Sequence, residues 1–134
     1  IDPSVVNLLD ATPFIPVIAP IGIGEDFKTY NINADIVAGK IAKILQAGKY
    51  VVLTNTTGIF DDNGNLIKSM NAEQVRQLVN KGIISSGMLP KVESALEAVS
   101  AGVQNVQIID GTIDHAILLE LFTDEGVGTM IRRT

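Results

Sequence analysis

A change of hydrophobic period between Tyr30 and Gln46 constrains the fold of this chain more than any other feature. Tyr30 and Ile32 alternate with polar residues, as at the end of a strand, and apolar residues then recur at helical spacing. The change falls on Asn33, a residue type that caps helix N-termini well, and Asp35 follows where the helix dipole favours a carboxylate. Open α/β sheets bind ligands at such strand-to-helix junctions. The segment therefore predicts an α/β domain with polar side chains at a candidate site.

Two interpretations of these polar residues stay open on local physics. Asn33 and Asp35 can serve only to cap the helix, which is the simpler interpretation. Asn31 is harder to explain in this way, because capping needs only one such side chain. A ligand site that includes Asn31, Asn33 and Asp35 is the competing hypothesis.

The composition excludes several classes of protein. The 134 residues suffice for one domain, and 46% of them are hydrophobic but only 4% aromatic, so aliphatic side chains must form the core. A net charge of −5 argues against non-specific binding to nucleic acid or anionic membranes. The sequence has no cysteine, one histidine and no apolar run of membrane-spanning length. We therefore expect a soluble, cytoplasmic protein without a tightly bound metal and without nucleic-acid or membrane partners.

Strand and helix patterns alternate along the chain. The predicted strands are 14–19, 49–54, a hairpin of 59–60 with 66–67 around Asn63-Gly64, 105–110 and 130–131. The predicted helices cover 5–10, 33–46, a segment capped by Asn71 and closed by Gly82, a segment from Pro90 to Gly102, and a segment that carries His115. This order predicts a layered α/β sandwich with a mainly parallel sheet and helices on its faces.

The segment from Gly87 to Lys91 departs from the usual chemistry of a helix start. Pro90 is favoured in a first turn, so Lys91 lies where the helix dipole disfavours a cation. A bound phosphate would offset this, because a helix N-terminus and a lysine together attract anions. Alternatively, Lys91 points to solvent or pairs with a nearby acid such as Glu93 at little cost. We favour the phosphate interpretation, since local rules are broken most often where function requires it.

Small polar residues follow the predicted strand 49–54. The segment Asn55-Thr56-Thr57-Gly58 leaves room for a ligand and can form hydrogen bonds to it. An ordinary polar turn is the alternative. The position of this segment, one strand after the Asn/Asp cluster, favours a nucleotide contact.

Five segments in the same order resemble the acetylglutamate kinases of the amino acid kinase family. They are Tyr-Asn-Ile-Asn-Ala-Asp (30–35), Leu-Thr-Asn-Thr-Thr-Gly (53–58), Gly-Met-Leu-Pro-Lys-Val (87–92), Ile-Ile-Asp-Gly (108–111) and the run 115–129. Several motifs in the right order are more specific than any one of them. The resemblance is to the carboxyl-terminal half of the family fold. It implies that residues 1–134 form a single ATP-binding domain of an incomplete amino acid kinase-like sheet, and that the amino-terminal, acetylglutamate-binding half is absent.

The resemblance also implies an activity. Acetylglutamate kinases use ATP with Mg²⁺ to phosphorylate the side-chain carboxylate of N-acetyl-L-glutamate, the second step of arginine biosynthesis. The alternatives are a related aminoadipate-type amino acid kinase and a non-catalytic nucleotide- or arginine-binding module. For the full-length protein the resemblance implies a homo-oligomer, and for these 134 residues alone it implies no turnover.

Individual roles follow from the matching motifs. Lys91 would neutralise charge that develops on the transferred phosphoryl group, and Asp35 would organise the catalytic lysines. Asn31 and Asn33 would contact acetylglutamate. The nucleotide would be bound by Asn55, Thr56, Thr57, Gly58, Ile59, Phe60, Ile83, Ile84, Ser85 and Gly87. Asn55 departs from the family pattern, in which many relatives carry an acid. An L-arginine inhibitor would be bound by His115, Glu125, Gly126 and Gly128.

Overall fold

A computed structural model describes residues 2–84, 86–123 and 126–133 of the chain. The helices are α1 (Ser4–Asp10), α2 (Ala34–Ile44), α3 (Ala72–Asn80), α4 (Leu89–Ser100) and α5 (Ala116–Phe122), and a 3₁₀ turn, Ser86–Met88, leads into α4. The strands are β1 (Ile21–Ile23), β2 (Thr29–Asn31), β3 (Lys49–Thr54), β4 (Ser69–Asn71), β5 (Asn105–Asp110) and β6 (Thr129–Arg132). No helix in these ranges is long and apolar enough to span a membrane.

The main sheet is mixed. Within the described ranges its strands lie in the order β3-β5-β6-β4, and β1 and β2 form a separate antiparallel hairpin. β3 is parallel to β5 and β4 is parallel to β6, whereas β5 and β6 are antiparallel. The prediction of an α/β fold with a mainly parallel sheet is confirmed.

Successive strand residues point to opposite faces of the sheet, so each face presents side chains that a layer of helices can cover. On one face, Val52 and Ile108 pack in a core that also contains Val75 of α3 and Val92 of α4. On the other face, Gln107 contacts Glu120 of α5. The layered arrangement therefore has a thick helical layer on one side and α5 on the other.

Local chemistry explains the helix starts. The Asn33 side-chain oxygen accepts hydrogen bonds from the backbone N–H groups of Asp35 and Ile36 at 2.9 and 3.3 Å. Asn71 and Gln74 form a reciprocal capping box at the start of α3. These predicted caps are confirmed, as are the bounds of strands 49–54 and 105–110.

Two sequence-based predictions of strands need correction, and one strand was missed. The predicted strand 14–19 is wrong: this segment forms no strand, and the hairpin of β1 and β2 follows it instead. Pro16 and Pro20 lack an N–H for a sheet ladder, and the described chain offers the segment no partner strand. The predicted hairpin 59–67 is reduced to one bridge, between Phe60 and Leu66. Strand β4 was missed, because three residues carry no readable period.

Candidate functional site

An ion pair joins the first turns of α2 and α4. The Lys91 Nζ lies 3.0 Å from Asp35 Oδ2, across 56 positions of sequence. The two side chains are 21% and 20% exposed, so a ligand can still reach them. Lys91 therefore pairs with an acid, as one alternative from the sequence had it, but that acid is Asp35 of another helix and not Glu93.

Two helix N-termini meet at this pair. Asp35 lies in the first turn of α2, and Pro90 lies at the start of α4 next to Lys91. Met88, which precedes α4, makes no side-chain capping hydrogen bond within the described chain. Asn33 already caps the start of α2 and Asp35 pairs with Lys91, so the N-terminus of α4, whose first turn has no acidic side chain, is the end that can attract an anion.

A hydroxyl network lies behind the ion pair. The Tyr50 hydroxyl lies 3.3 Å from the Asp35 carbonyl oxygen and 3.1 Å from Ser94 Oγ, and Ser94 Oγ donates to the Lys91 carbonyl oxygen at 2.9 Å. Burial raises the pKa of the Tyr50 phenol, the Ser94 hydrogen bond opposes this, and the negative charge of Asp35 adds to it. Tyr50 is therefore neutral at physiological pH.

A cleft of about 270 Å³ lies between the end of β3 and the start of α4, and we call it the β3–α4 cleft. It is lined by Thr56, Gly58, Ile59, Phe60, Asp61, Ile83, Ile84 and Met88. The structure thus brings together two of the segments predicted to bind nucleotide. Asp61 and Met88 were missed by the sequence analysis.

The other predicted nucleotide residues are placed differently. Asn55, Thr57 and Gly87 are exposed and do not line the β3–α4 cleft, and Ser85 lies outside the described residues. Asn31 is exposed at the end of β2, and the Asn33 oxygen is used as the cap of α2. A nucleotide or acetylglutamate contact at any of these residues stays a prediction.

Gly58 shapes the floor of the β3–α4 cleft. Its φ is +156°, and a Cβ at this position would lie 2.6 Å from Thr129 Oγ1. The same hydroxyl accepts a hydrogen bond from the Ile59 N–H at 2.8 Å. The segment after β3 is therefore hydrogen-bonded directly to β6, and the space between them is too small for a side chain at position 58.

A second cleft, of about 470 Å³, lies beside α5, and we call it the α5 cleft. Glu120, only 6% exposed, lines it, and its carboxylate accepts hydrogen bonds from Lys49 Nζ at 3.1 Å, Gln107 Nε2 at 2.6 Å and the Val127 N–H at 3.0 Å. Lys49 and Glu120 are 71 positions apart, and no local pattern pointed to either of them.

Two residues predicted to bind arginine lie at the α5 cleft. Gly126 and Gly128 line it. His115 does not line it, but immediately precedes α5 with a left-handed φ of +60°. Glu125 lies outside the described residues. In the described ranges, no group of three or more His, Asp or Glu side chains is placed to hold a metal ion.

Comparison with known sequences decides the family. Residues 2–110 match the sequence model of the amino acid kinase family. The chain belongs to the amino acid kinase family. Among relatives, this amino acid kinase chain is 58% identical to the acetylglutamate kinase of Nitrosomonas eutropha over 132 residues, which are 98% of this chain and 45% of that protein. It is also 58% identical to the acetylglutamate kinase of Nitrosococcus oceani over 132 residues, 98% of this chain and 44% of that protein.

A solved structure resembles the whole amino acid kinase chain. It is the N-acetylglutamate synthase of Neisseria gonorrhoeae in complex with coenzyme A and L-arginine, with a TM-score of 0.92 and 32% sequence identity. The match covers 99% of this chain and 31% of that one. The resemblance to acetylglutamate kinases is confirmed, and the chain spans less than half the length of the relatives named above.

Proposed function

We propose that this amino acid kinase chain supplies the nucleotide-binding part of an acetylglutamate kinase. The complete enzyme would transfer the γ-phosphoryl group of Mg²⁺–ATP to the side-chain carboxylate of N-acetyl-L-glutamate. The observation that carries the proposal is the Lys91–Asp35 pair at two converging helix N-termini, beside the β3–α4 cleft. The 58% identity to acetylglutamate kinases supports this choice of reaction over an aminoadipate-type kinase or a non-catalytic module.

The geometry suits the electrostatic demands of phosphoryl transfer. As the bond from the γ-phosphorus to the β–γ bridging oxygen breaks and the bond to the acceptor carboxylate oxygen forms, negative charge spreads over the transferred group, and ADP leaves. Lys91 and the N-terminus of α4 would stabilise this charge, and their partial burial strengthens the interaction. Asp35 would hold the ammonium group of Lys91 in position until the phosphate arrives.

The β3–α4 cleft offers a mixed surface for the nucleotide. Ile59, Ile84 and Met88 give it an apolar wall, and Thr56 and Gly58 add polar groups and close backbone approach. By sequence, Ser85 and Gly87 belong to the same proposed nucleotide segment. α4 begins directly after Met88, so phosphates that leave the cleft would reach the N-terminus of this helix and Lys91 in its first turn.

The role of the remaining part of the complete protein is proposed from the family resemblance. It would supply most of the acetylglutamate pocket, with Asn31 and Asn33 completing it from this side. We propose that the complete enzyme is a cytoplasmic homo-oligomer. Because this chain spans about 45% of its relatives, we expect no turnover from it alone.

Titration calorimetry with Mg²⁺–ATP tests the nucleotide site. We expect saturable binding, weakened about three- to tenfold in Phe60→Ala, because the ring lines the β3–α4 cleft and buries apolar surface there on binding. The matched control is Phe27→Ala, whose ring is 91% exposed on the β1–β2 hairpin and should leave affinity unchanged. Equal weakening in both variants would contradict the assignment of the cleft.

A second function, regulation by L-arginine, is favoured by the α5 cleft. Gly126 and Gly128, two of the residues that the resemblance assigns to arginine, line this cleft, and the buried Glu120 carboxylate neutralises the Lys49 ammonium that would otherwise repel a guanidinium group there. The N. gonorrhoeae relative, 32% identical, was solved in complex with L-arginine. We propose that the α5 cleft binds arginine as an inhibitor of the complete enzyme.

Replacing Glu120 tests the arginine site. Glu120→Gln should weaken L-arginine binding roughly tenfold in calorimetry, since Lys49 then carries an unpaired positive charge at the cleft that repels the guanidinium group. The control is Glu97→Gln, because Glu97 is a 45% exposed carboxylate on α4 that does not line the α5 cleft. Circular dichroism checks that both variants are folded. Arginine affinity that is unchanged in Glu120→Gln would contradict the assignment of the α5 cleft.

A further inference from the structure

The backbones of α2 and α4 approach each other unusually closely near the Lys91–Asp35 pair. A Cβ on Gly39 would lie 3.0 Å from the Ser94 Cβ and 3.2 Å from the Ser94 carbonyl oxygen. Both residues are buried, and Ser94 is 5% exposed. The separation of the two helices is therefore fixed by backbone contact, but their rotation and sliding are not.

The phenol of Tyr50 reaches this crossing from β3. Two hydroxyl protons are available for three contacts. Ser94 donates its proton to the Lys91 carbonyl oxygen. Tyr50 can donate its proton to Ser94 Oγ, and the Asp35 carbonyl oxygen, 3.3 Å away, shares that proton. Each member of the ion pair thus has its own backbone carbonyl tied to one network. The network links the first turn of α2 to the first turn of α4.

A polar network at this depth is not needed to hold the helices together. Ala42, Ala95 and Val99 already contribute apolar packing in this region of the core. Tyr50 is only 7% exposed, and phenylalanine would fill the same volume without a polar atom to desolvate. Buried polar networks of this kind specify one arrangement of their elements rather than add stability.

We propose that Tyr50 and Ser94 are positioning residues, which set the rotation of α2 and α4 so that Lys91 and Asp35 present one geometry to a bound phosphate. The positioning acts through the backbone carbonyl groups of Lys91 and Asp35. That a phosphate binds there rests on the proposed nucleotide-binding function. The raised pKa of Tyr50 keeps its proton available for this network up to alkaline pH.

The test compares Tyr50→Phe, Ser94→Ala and the double variant in the full chain. The first readout is the affinity for Mg²⁺–ATP, and the second is the ε-methylene NMR signal of Lys91 in protein labelled with ¹³C-lysine. The matched control is Tyr30→Phe, which loses a hydroxyl that donates to Asp26 Oδ2 at 3.0 Å in the exposed hairpin.

We expect each single variant to weaken Mg²⁺–ATP binding about two- to tenfold and to move the Lys91 signal toward that of a free lysine. The double variant should lose less than the product of the single effects, because both changes break one network. Tyr30→Phe should change neither readout. Should Tyr50→Phe fail to fold, Ser94→Ala carries the test, since alanine is the best helix former.

An unchanged Lys91 signal with a lowered unfolding midpoint would overturn the proposal, because the hydroxyls would then serve stability alone. If the wild-type chain does not bind Mg²⁺–ATP, the proposed nucleotide-binding function of this chain is refuted. The Lys91 signal still decides the positioning role in that case: a shift in both variants supports it and no shift refutes it.

Discussion

Replacing Lys91 by alanine is expected to lower kinase turnover about 100- to 1,000-fold in a complete enzyme reconstituted from this chain. Lys91 is the cation at the meeting point of two helix N-termini, and the proposed reaction develops negative charge there. Because that charge is largest in the transition state, kcat should fall far more than the KM for Mg²⁺–ATP rises. The same experiment therefore distinguishes a role of Lys91 in the transition state, which lowers kcat, from a role in binding alone, which raises KM.

The measurement uses co-expression of this chain with the part of the N. eutropha acetylglutamate kinase that has no counterpart in it, followed by a steady-state kinase assay. Lys43→Ala is the matched control, because Lys43 also links α2 to α4, through Glu97 at 3.4 Å. Both partners of that pair are almost half exposed, at 48% and 45%, so its loss should change turnover less than twofold. If Lys43→Ala were as damaging as Lys91→Ala, the effect would be one of helix packing and not of charge.

Replacing Gly128 by alanine should destabilise the fold by about 2–5 kcal/mol, which is a large part of the roughly 5–15 kcal/mol that stabilises a typical domain. Its φ of +87° disfavours any side chain, and a Cβ would lie 2.1 Å from the Ile108 carbonyl oxygen. Ile108 and Ile109 are fully buried in β5, so this backbone cannot move aside. The glycine is thus required where the loop after α5 passes over the sheet.

Urea unfolding followed by circular dichroism measures this effect. Gly48→Ala is the control, since a Cβ at Gly48 would meet no atom within 4 Å, and we expect a change within about 0.5 kcal/mol. Equal transition midpoints for Gly128→Ala and Gly48→Ala would show that the loop rearranges without strain. The residue also lines the α5 cleft, so its loss would impair arginine binding through the fold rather than through a lost contact.

Several features of the fold could be predicted from short stretches of sequence. The caps at Asn33 and Asn71 are made by groups within three residues of one another, and residue type and spacing therefore suffice to identify them. The apolar runs of β3 and β5 were also readable, because both are rich in aliphatic residues that favour strands. The sequence did not show that only β5 is buried on both faces, whereas β3 lies at an edge of the described sheet. By contrast, the run 14–19 has strand-like residues but no strand partner in the described chain, and composition does not reveal that.

The candidate site shows the same division. The sequence by itself placed Lys91 in the first turn of a helix, where a cation is disfavoured and a phosphate would be favoured, and family resemblance linked it to Asp35. Only the tertiary structure decided that these two side chains lie 3.0 Å apart, that Tyr50 and Ser94 connect their backbones, and that Lys49 and Glu120 form a second polar cluster. The physical reason is range. Caps and periods arise between neighbours in the chain, whereas these contacts between elements join residues 15 to 71 positions apart, which only the packing of α2, α4 and α5 on the sheet brings together.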